Sequence, residues 1–225
     1  MKKYLHIILF LVGVLVLVGV YFLVIKKPAR APAEEASSQI EVTLENRPVV
    51  SLTPSADGHW LKLTINKIKI DAKSLDYELL YDLPDGRTQG VPGTVALEGQ
   101  SKIERDLLMG SESSGKFRYD EGVEVGDLTI RFRNDKGKLL IKFATKFHLQ
   151  SGSKNLTSID TNFSFILDKK PSKAFFVTME TFGLPESTVS SVASGPYGIF
   201  TSDAVLAPGS ADGWQKATGS NIFYK

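Results

Sequence analysis

The sequence predicts an all-β, antiparallel β-sandwich preceded by one N-terminal transmembrane helix. Three observations carry this prediction. Residues 4–25 form an unbroken apolar run, a Pro/Ala/Ser-rich stretch follows it, and from Ile40 onward apolar residues recur with period two between turn signals. The chain has 225 residues, 42% hydrophobic and 23% charged, which are ordinary globular proportions and exclude disorder throughout. It has no cysteine, so disulfides, thiolate metal sites, cysteine nucleophiles and a lipidated N-terminal Cys are excluded. A net charge of +2 is too small to argue for nucleic acid.

The first element, residues 1–27, is a short tail followed by the span. Residues 4–25 contain six Leu, six Val, three Ile and two Phe, with no formal charge apart from the option of protonating His6. As a helix this run reaches about 33 Å, enough for a hydrocarbon core of about 30 Å. A buried soluble helix would keep a polar face, and this run has none. The alternative is a cleaved leader cut near Ala33, but its apolar region would normally be only about 7 to 15 residues. Lys2 and Lys3 before the span nearly balance Lys26, Lys27 and Arg30 after it, so charge does not orient it. The short N-terminal tail and the cysteine-free remainder favour a cytoplasmic N-terminus and an extracytoplasmic C-terminal domain. Five basic and two acidic residues precede residue 40, giving +3, while the rest has 22 basic and 23 acidic residues. The positive balance therefore sits beside the lipid phosphates.

Residues 28–39 follow as a Pro/Ala/Ser-rich linker, partly extended by Pro28 and Pro32. Residues 40–150 read as a sandwich. Leu61, Leu63 and Ile65 alternate with polar neighbours, and a shift of parity to Ile68 and Ile70 suggests a bulge near Asn66 and Lys67. Leu75, Tyr77, Leu79, Tyr81 and Leu83 alternate again, with Asp76, Glu78 and Asp82 facing outward, up to a turn at Pro84, Asp85 and Gly86. The clearest unit is a hairpin. A tight turn at Asp135 and Lys136 would pair Phe132 with Leu139, Ile130 with Ile141 and Leu128 with Phe143, placing both apolar sets on one face; a loop longer by a residue or two is the alternative.

Residues 151–225 read as a further β-rich segment, packed on the sandwich or forming a small second domain. Phe163, Phe165 and Leu167 mark a short strand, and residues 174–179, apolar on both faces, mark a central one. Trp214, Phe223 and Tyr224 are expected to close the core rather than to stack on sugars. Beyond the span, only residues 101–109, which suit helix or strand, and 187–193 have helical potential.

With several short strands in about 100 residues closed by a long hairpin, residues 40–150 resemble an immunoglobulin-like or fibronectin type III-like sandwich. The Cys pair of immunoglobulin domains is missing, and Glu124 stands where their corner tyrosine would lie. Anchor, spacer and cysteine-free sandwich together are similar to bacterial envelope proteins. The resemblance implies architecture and assigns no functional residue.

The motifs carry little chemistry. Residues 110–116, Gly-Ser-Glu-Ser-Ser-Gly-Lys, match the start of a phosphate-binding loop, but Phe117 replaces the magnesium-binding hydroxyl, so a polar loop between strands is expected. Ser51-Leu-Thr-Pro54 faintly resembles the nucleophile box of membrane-anchored signal peptidases, with Lys62 or Lys67 as the base it would need. His59 and His148 are expected at strand ends on the surface. Asp120, Glu121, Glu124 and Asp127 lack the order of a calcium loop and read as a solvated segment. Arg131, Arg133, Lys138, Lys142 and Lys146 line the outer side of the hairpin. They form a possible face for an anionic partner, or a guard against edge pairing.

The sequence therefore leads to the expectation of a non-enzymatic, single-pass membrane protein with a binding or structural role at the cell envelope. No catalytic residue, cofactor or metal is assigned. Its partners would be the lipid bilayer, through residues 4–25, and a protein or envelope polymer, with no nucleic acid. A membrane-anchored serine hydrolase of the outer face and an accessory subunit of a membrane complex are the two alternatives. The span has Gly13 and Gly19 but no Gly-x-x-x-Gly motif for helix pairing.

Overall fold

The computed structural model of the chain describes residues 42–185 and 191–225. The expected span over 4–25, the linker over 28–39 and most of 187–193 lie outside the described residues. Among those described, no helix is long and apolar enough to cross a membrane, and the only helical element is a 3₁₀ turn, Leu44–Asn46.

The rest is antiparallel β-structure. In chain order the strands are β1 (Val49–Pro54), β2 (Trp60–Asn66), β3 (Ser74–Asp82), β4 (Thr88–Ala96), β5 (Ile103–Leu108), β6 (Gly110–Ser113), β7 (Lys116–Tyr119), β8 (Val125–Arg133) and β9 (Leu139–Ser151). Then come β10 (Asn155–Thr157), β11 (Ser164–Leu167), β12 (Phe175–Glu180), β13 (Tyr197–Thr201), β14 (Gly209–Ser210), β15 (Gln215–Lys216) and β16 (Ile222–Tyr224). A central eight-stranded sheet has the order β15-β16-β13-β12-β9-β8-β3-β4, so it draws strands from both sides of residue 150.

Each face of this sheet has its own cover. On one face lies the three-stranded sheet β1-β2-β5. Leu52, Leu61, Leu63 and Ile65 from it meet Leu79, Leu128, Ile130, Phe132, Phe147, Val177 and Met179 from the central sheet in one cluster. This is the sandwich that the period-two pattern implies, and it is compatible with an immunoglobulin-like arrangement. On the other face the short strands β10, β11 and β14 place Leu156, Phe165 and Leu167 over Phe176, Tyr197, Ile199 and Phe223. Each fully buried Leu or Phe contributes about 1.5–3 kcal/mol of apolar transfer. Phe223 is buried and Trp214 packs against the same cluster, so these C-terminal aromatics close the core as expected.

The β8–β9 hairpin forms with its apolar residues on one face, but its register differs from the expected one. Phe132 pairs with Ile141, Ile130 with Phe143 and Leu128 with Thr145. The loop is longer than a two-residue turn. Asn134 accepts the Gly137 N–H at its carbonyl, and its side-chain Oδ1 accepts the N–H groups of Lys136 and Lys138. Gly137 takes φ +72°, the left-handed geometry of a three-residue hairpin loop, and a bulge follows between Phe132 and Arg133. Both registers keep the same residues facing inward, so the pattern of faces did not distinguish them.

One other expectation is overturned and one open alternative is decided. The parity shift after Ile65 is no bulge: β2 ends at Asn66, and Lys67 takes φ +58° and turns the chain away. Residues 101–109 contain no helix. Ile103, Leu107 and Met109 are buried at alternate positions, and β5 pairs with β2. The spacing of 103 and 107 suits either period, whereas Met109 suits only the strand.

Gly126 in β8 is a tight point of this packing: a Cβ there would stand 2.2 Å from the Leu80 carbonyl oxygen and 2.5 Å from the Phe147 ring. Gly126→Ala is expected to cost about 3 kcal/mol, the upper part of the overpacking range. Gly137→Ala, where a Cβ meets nothing within 4 Å and only the backbone is strained, should cost about 1 kcal/mol. Urea unfolding of both variants checks the order; an equal or reversed ranking would show that β3, β8 and β9 are not close-packed at this point.

Candidate functional site

At one end of the sandwich the β1–β2 turn, the 120–124 segment before β8, the end of β9 and the start of β12 surround a cleft of about 430 Å³. Its walls carry Asp57, His59, Asp120, Glu121, Glu124 and His148, with Phe175 at the side. Gly58, at φ +76°, lets the turn lie on the Phe175 ring, which a Cβ would meet at 2.6 Å. Tyr81 donates its hydroxyl to Asp120 at 2.8 Å and fixes the segment at that point; burial and this bond push the Tyr81 hydroxyl far above its ordinary 10. The Asp57 carboxyl is held below its ordinary 3.8, chiefly by the Ser55 hydroxyl and also by the His59 N–H. His59 Nε2 stands 3.8 Å from Glu121, while His148 lies inside β9, not at a strand end, with Nδ1 2.8 Å from the Thr157 carbonyl.

The cleft continues into an exposed aromatic row. His59 stacks on Tyr119 with ring centroids 4.3 Å apart, Tyr119 is parallel to Phe117 at 6.1 Å, and Trp60 meets Phe117 edge-on at 5.7 Å. Phe117 and Tyr119 keep 44% and 38% of their surface exposed. They belong to β7, whose hairpin with β6 occupies the segment that resembles a phosphate-binding loop. Ser114 at φ +52° and Gly115 at φ +75° make a two-residue turn of the I′ type, so this glycine-rich stretch opens a strand and no helix begins there to bind phosphate. The sequence does contain a signal for the row: Phe117 and Tyr119 alternate with the charged Lys116 and Arg118, which in a strand puts both rings on one side.

Of the basic residues singled out on the hairpin, Arg131, Arg133, Lys142 and Lys146 lie in β8 and β9, and Lys138 lies in the loop between them. Arg131 pairs with Glu78 at 3.2 Å, Arg133 with Asp76 at 2.5 Å and Lys146 with Asp127 at 2.8 Å. The side chains of Lys138 and Lys142 have no partner among the described residues. Arg131–Glu78 and Arg133–Asp76 join β3 and β8 diagonally, and Asp127 and Lys146 stand directly opposite on β8 and β9, so acid and base interleave and lower the net field of the face. Ser51 lies opposite Thr64, Lys62 opposite Thr53 and exposed, and Lys67 donates to the Leu184 carbonyl at 2.8 Å, so no hydrogen bond joins Ser51 to either lysine. Asp120 and Asp127 have separate partners, and among the described residues no three His, Asp or Glu are grouped to hold a metal ion.

A second, smaller pocket of about 320 Å³ lies where the β10–β11 layer stops short of the charged face. Sequence reasoning did not find it, because its residues Asp160, Glu180 and Tyr197 are far apart in the chain and each sits in an unremarkable local pattern. Tyr197 donates its hydroxyl to Asp160. Burial would raise the Asp160 carboxyl, but hydrogen bonds from Ser158, Tyr197 and Asn162 outweigh it and hold the group below its ordinary 3.8. Burial pushes the Glu180 carboxyl above its ordinary 4.5; Arg47 opposes this and the charge of Asp160 adds to it.

That difference has a sign. A carboxyl raised on folding binds its proton more readily in the folded chain, so stability falls as pH rises through the folded value. Glu180→Gln should therefore raise the melting temperature at pH 7–8 and leave it unchanged below the unfolded value, near 4.5. Thermal melts across this range check it; a variant that is less stable at pH 8 would show that the ionised form is the favoured one.

Comparisons with protein-family models, with curated proteins and with solved structures returned no match to this chain.

Proposed function

We propose that the chain is a single-pass, membrane-anchored protein whose extracytoplasmic, immunoglobulin-like β-sandwich binds a partner at the cell envelope through the end that carries the cleft and the aromatic row. The observation that carries the binding role is the exposure of Phe117 and Tyr119 beside a concave polar surface. Large rings left open to water at a cleft mark an interaction site more often than a chance feature of the surface, since aromatic anchors dominate binding energy. The anchor and its orientation rest on the apolar run 4–25 and on the Pro/Ala linker that would hold the domain away from the bilayer. The cross-paired basic face is a second place for an anionic polymer, through Lys138 and Lys142.

Three measurements test this reading. A reporter fused after Lys225 should be active only outside the cytoplasm, and the chain should stay with the membrane after a high-salt wash; cytoplasmic activity would reverse the orientation. Cross-linking of the full chain in its membrane should trap a partner that is lost in the Phe117→Ser, Tyr119→Ser variant, while the melting temperature of that variant changes by less than the equivalent of about 1 kcal/mol. Capture unaffected by the double change would place the binding surface elsewhere.

A further inference from the structure

The aromatic row and the cleft differ in what they offer a ligand, and together they select one chemistry. The row leaves Phe117 and Tyr119 partly open to water on a two-stranded hairpin that no other strand joins among the described residues, with His59 stacked on one face of Tyr119. A ring face carries negative electrostatic potential and attracts a cation placed over it. The adjoining cleft has no lysine or arginine in its lining, but four carboxylates: Asp57, Asp120, Glu121 and Glu124. Asp57 and Asp120 are already engaged, by Ser55 and Tyr81. Glu121 has only His59, at 3.8 Å, with 81% of its side chain exposed, and the Glu124 side chain has no partner among the described residues. Two carboxylates thus remain to meet a ligand, in a concavity whose walls of one sign focus the field.

We propose that this surface docks a basic, arginine-bearing segment of a protein partner, one guanidinium lying against the exposed part of the Phe117–Tyr119 pair and another entering the cleft toward Glu121 and Glu124. Arginine meets both halves of the surface. Its plane stacks on aromatic faces, its fork of donors matches a carboxylate, and its weak hydration makes transfer from water less costly than for an ammonium. Lys116 and Arg118 alternate to the opposite side of β7 and do not compete for the ring faces. The proposal rests on the reading of this end as the binding surface and adds to it the chemistry of the partner.

The test uses the full chain in detergent and a short peptide of alternating arginine and alanine, followed by calorimetry and by the emission of Trp60 beside Phe117. The peptide should bind and weaken steeply as salt is raised. Its counterpart with citrulline for arginine, equal in shape but uncharged, should bind at least about tenfold more weakly. Phe117→Ser with Tyr119→Ser, and separately Glu121→Gln with Glu124→Gln, should each lower affinity by about tenfold with the fold intact by thermal melting. Equal binding of the citrulline peptide, or arginine binding unchanged in both double variants, would overturn the proposal. So would binding of an N-acetylglucosamine oligomer at these residues in place of the peptide, which would make the row a sugar platform. If the cross-linked partner is lost in the aromatic variant but the arginine peptide neither binds nor competes, the binding surface stands and the cationic chemistry fails. If the partner is retained as well, both fail.

Discussion

Strand β12 has no solvent face, and the layering of the domain depends on that. Val177 and Met179 point into the main sandwich, while Phe176 and Thr178 point the other way, under the β10–β11–β14 layer. A strand buried on both sides needs cover on both sides and a partner along each edge, or its backbone groups and rings are left in the wrong medium. β9 and β13 supply the edges. The second cover has little apolar mass, so it is held by polar ties as well. His148 and Gln150, on the outward side of β9, reach the backbone of β10 at Thr157 and Asn155. The histidine that looks from its sequence like a surface residue is thus part of the joint between layers.

The same layering explains where the recesses lie. The second layer covers only the part of the sheet nearest β12 and β13. Beyond it the outer face of β3, β8 and β9 carries cross-strand ion pairs, of which the exposed Lys146–Asp127 pair is worth at most about 1 kcal/mol. The smaller pocket forms at the border of these two regimes, which is why Glu180 is taken out of water and yet has Asp160 as its neighbour. The cleft forms at a different border, where the β1–β2 turn and the 120–124 segment rise past the end of the central sheet.

Period two made the sandwich legible, since each strand with one wet face writes its own alternation: Leu61 to Ile65, Leu75 to Tyr81 and Leu128 to Phe132 all sit as the pattern says. Residues 174–179 were legible for the opposite reason, by lacking a polar face. What stayed hidden was set by geometry with no periodic trace. The hairpin register follows from the Asn134 side chain and the left-handed Gly137, and a shift of two residues leaves every face unchanged. Strand β4 escaped notice because Gly90, Pro92 and Gly93 erase its propensity. The candidate site was legible only in part. The alternation of Phe117 and Tyr119 was present in the sequence, but whether two rings face water or a core is decided by the rest of the fold, and the cleft gathers residues from four separate segments.

Those same glycines and that proline give β4 another meaning. Among the described residues it is the outermost strand of the central sheet, with β3 as its only neighbour. A proline is tolerated inside a paired strand where its missing N–H would have pointed away from the partner, so Pro92 removes a donor from the free margin of the sheet. A second chain approaching that margin finds a broken ladder, without the continuous run of donors and side chains that templates strand addition. Molecules of this protein crowded side by side in one plane would therefore remain separate along that border, leaving contact between them to surfaces where side chains, and not backbone, decide the fit.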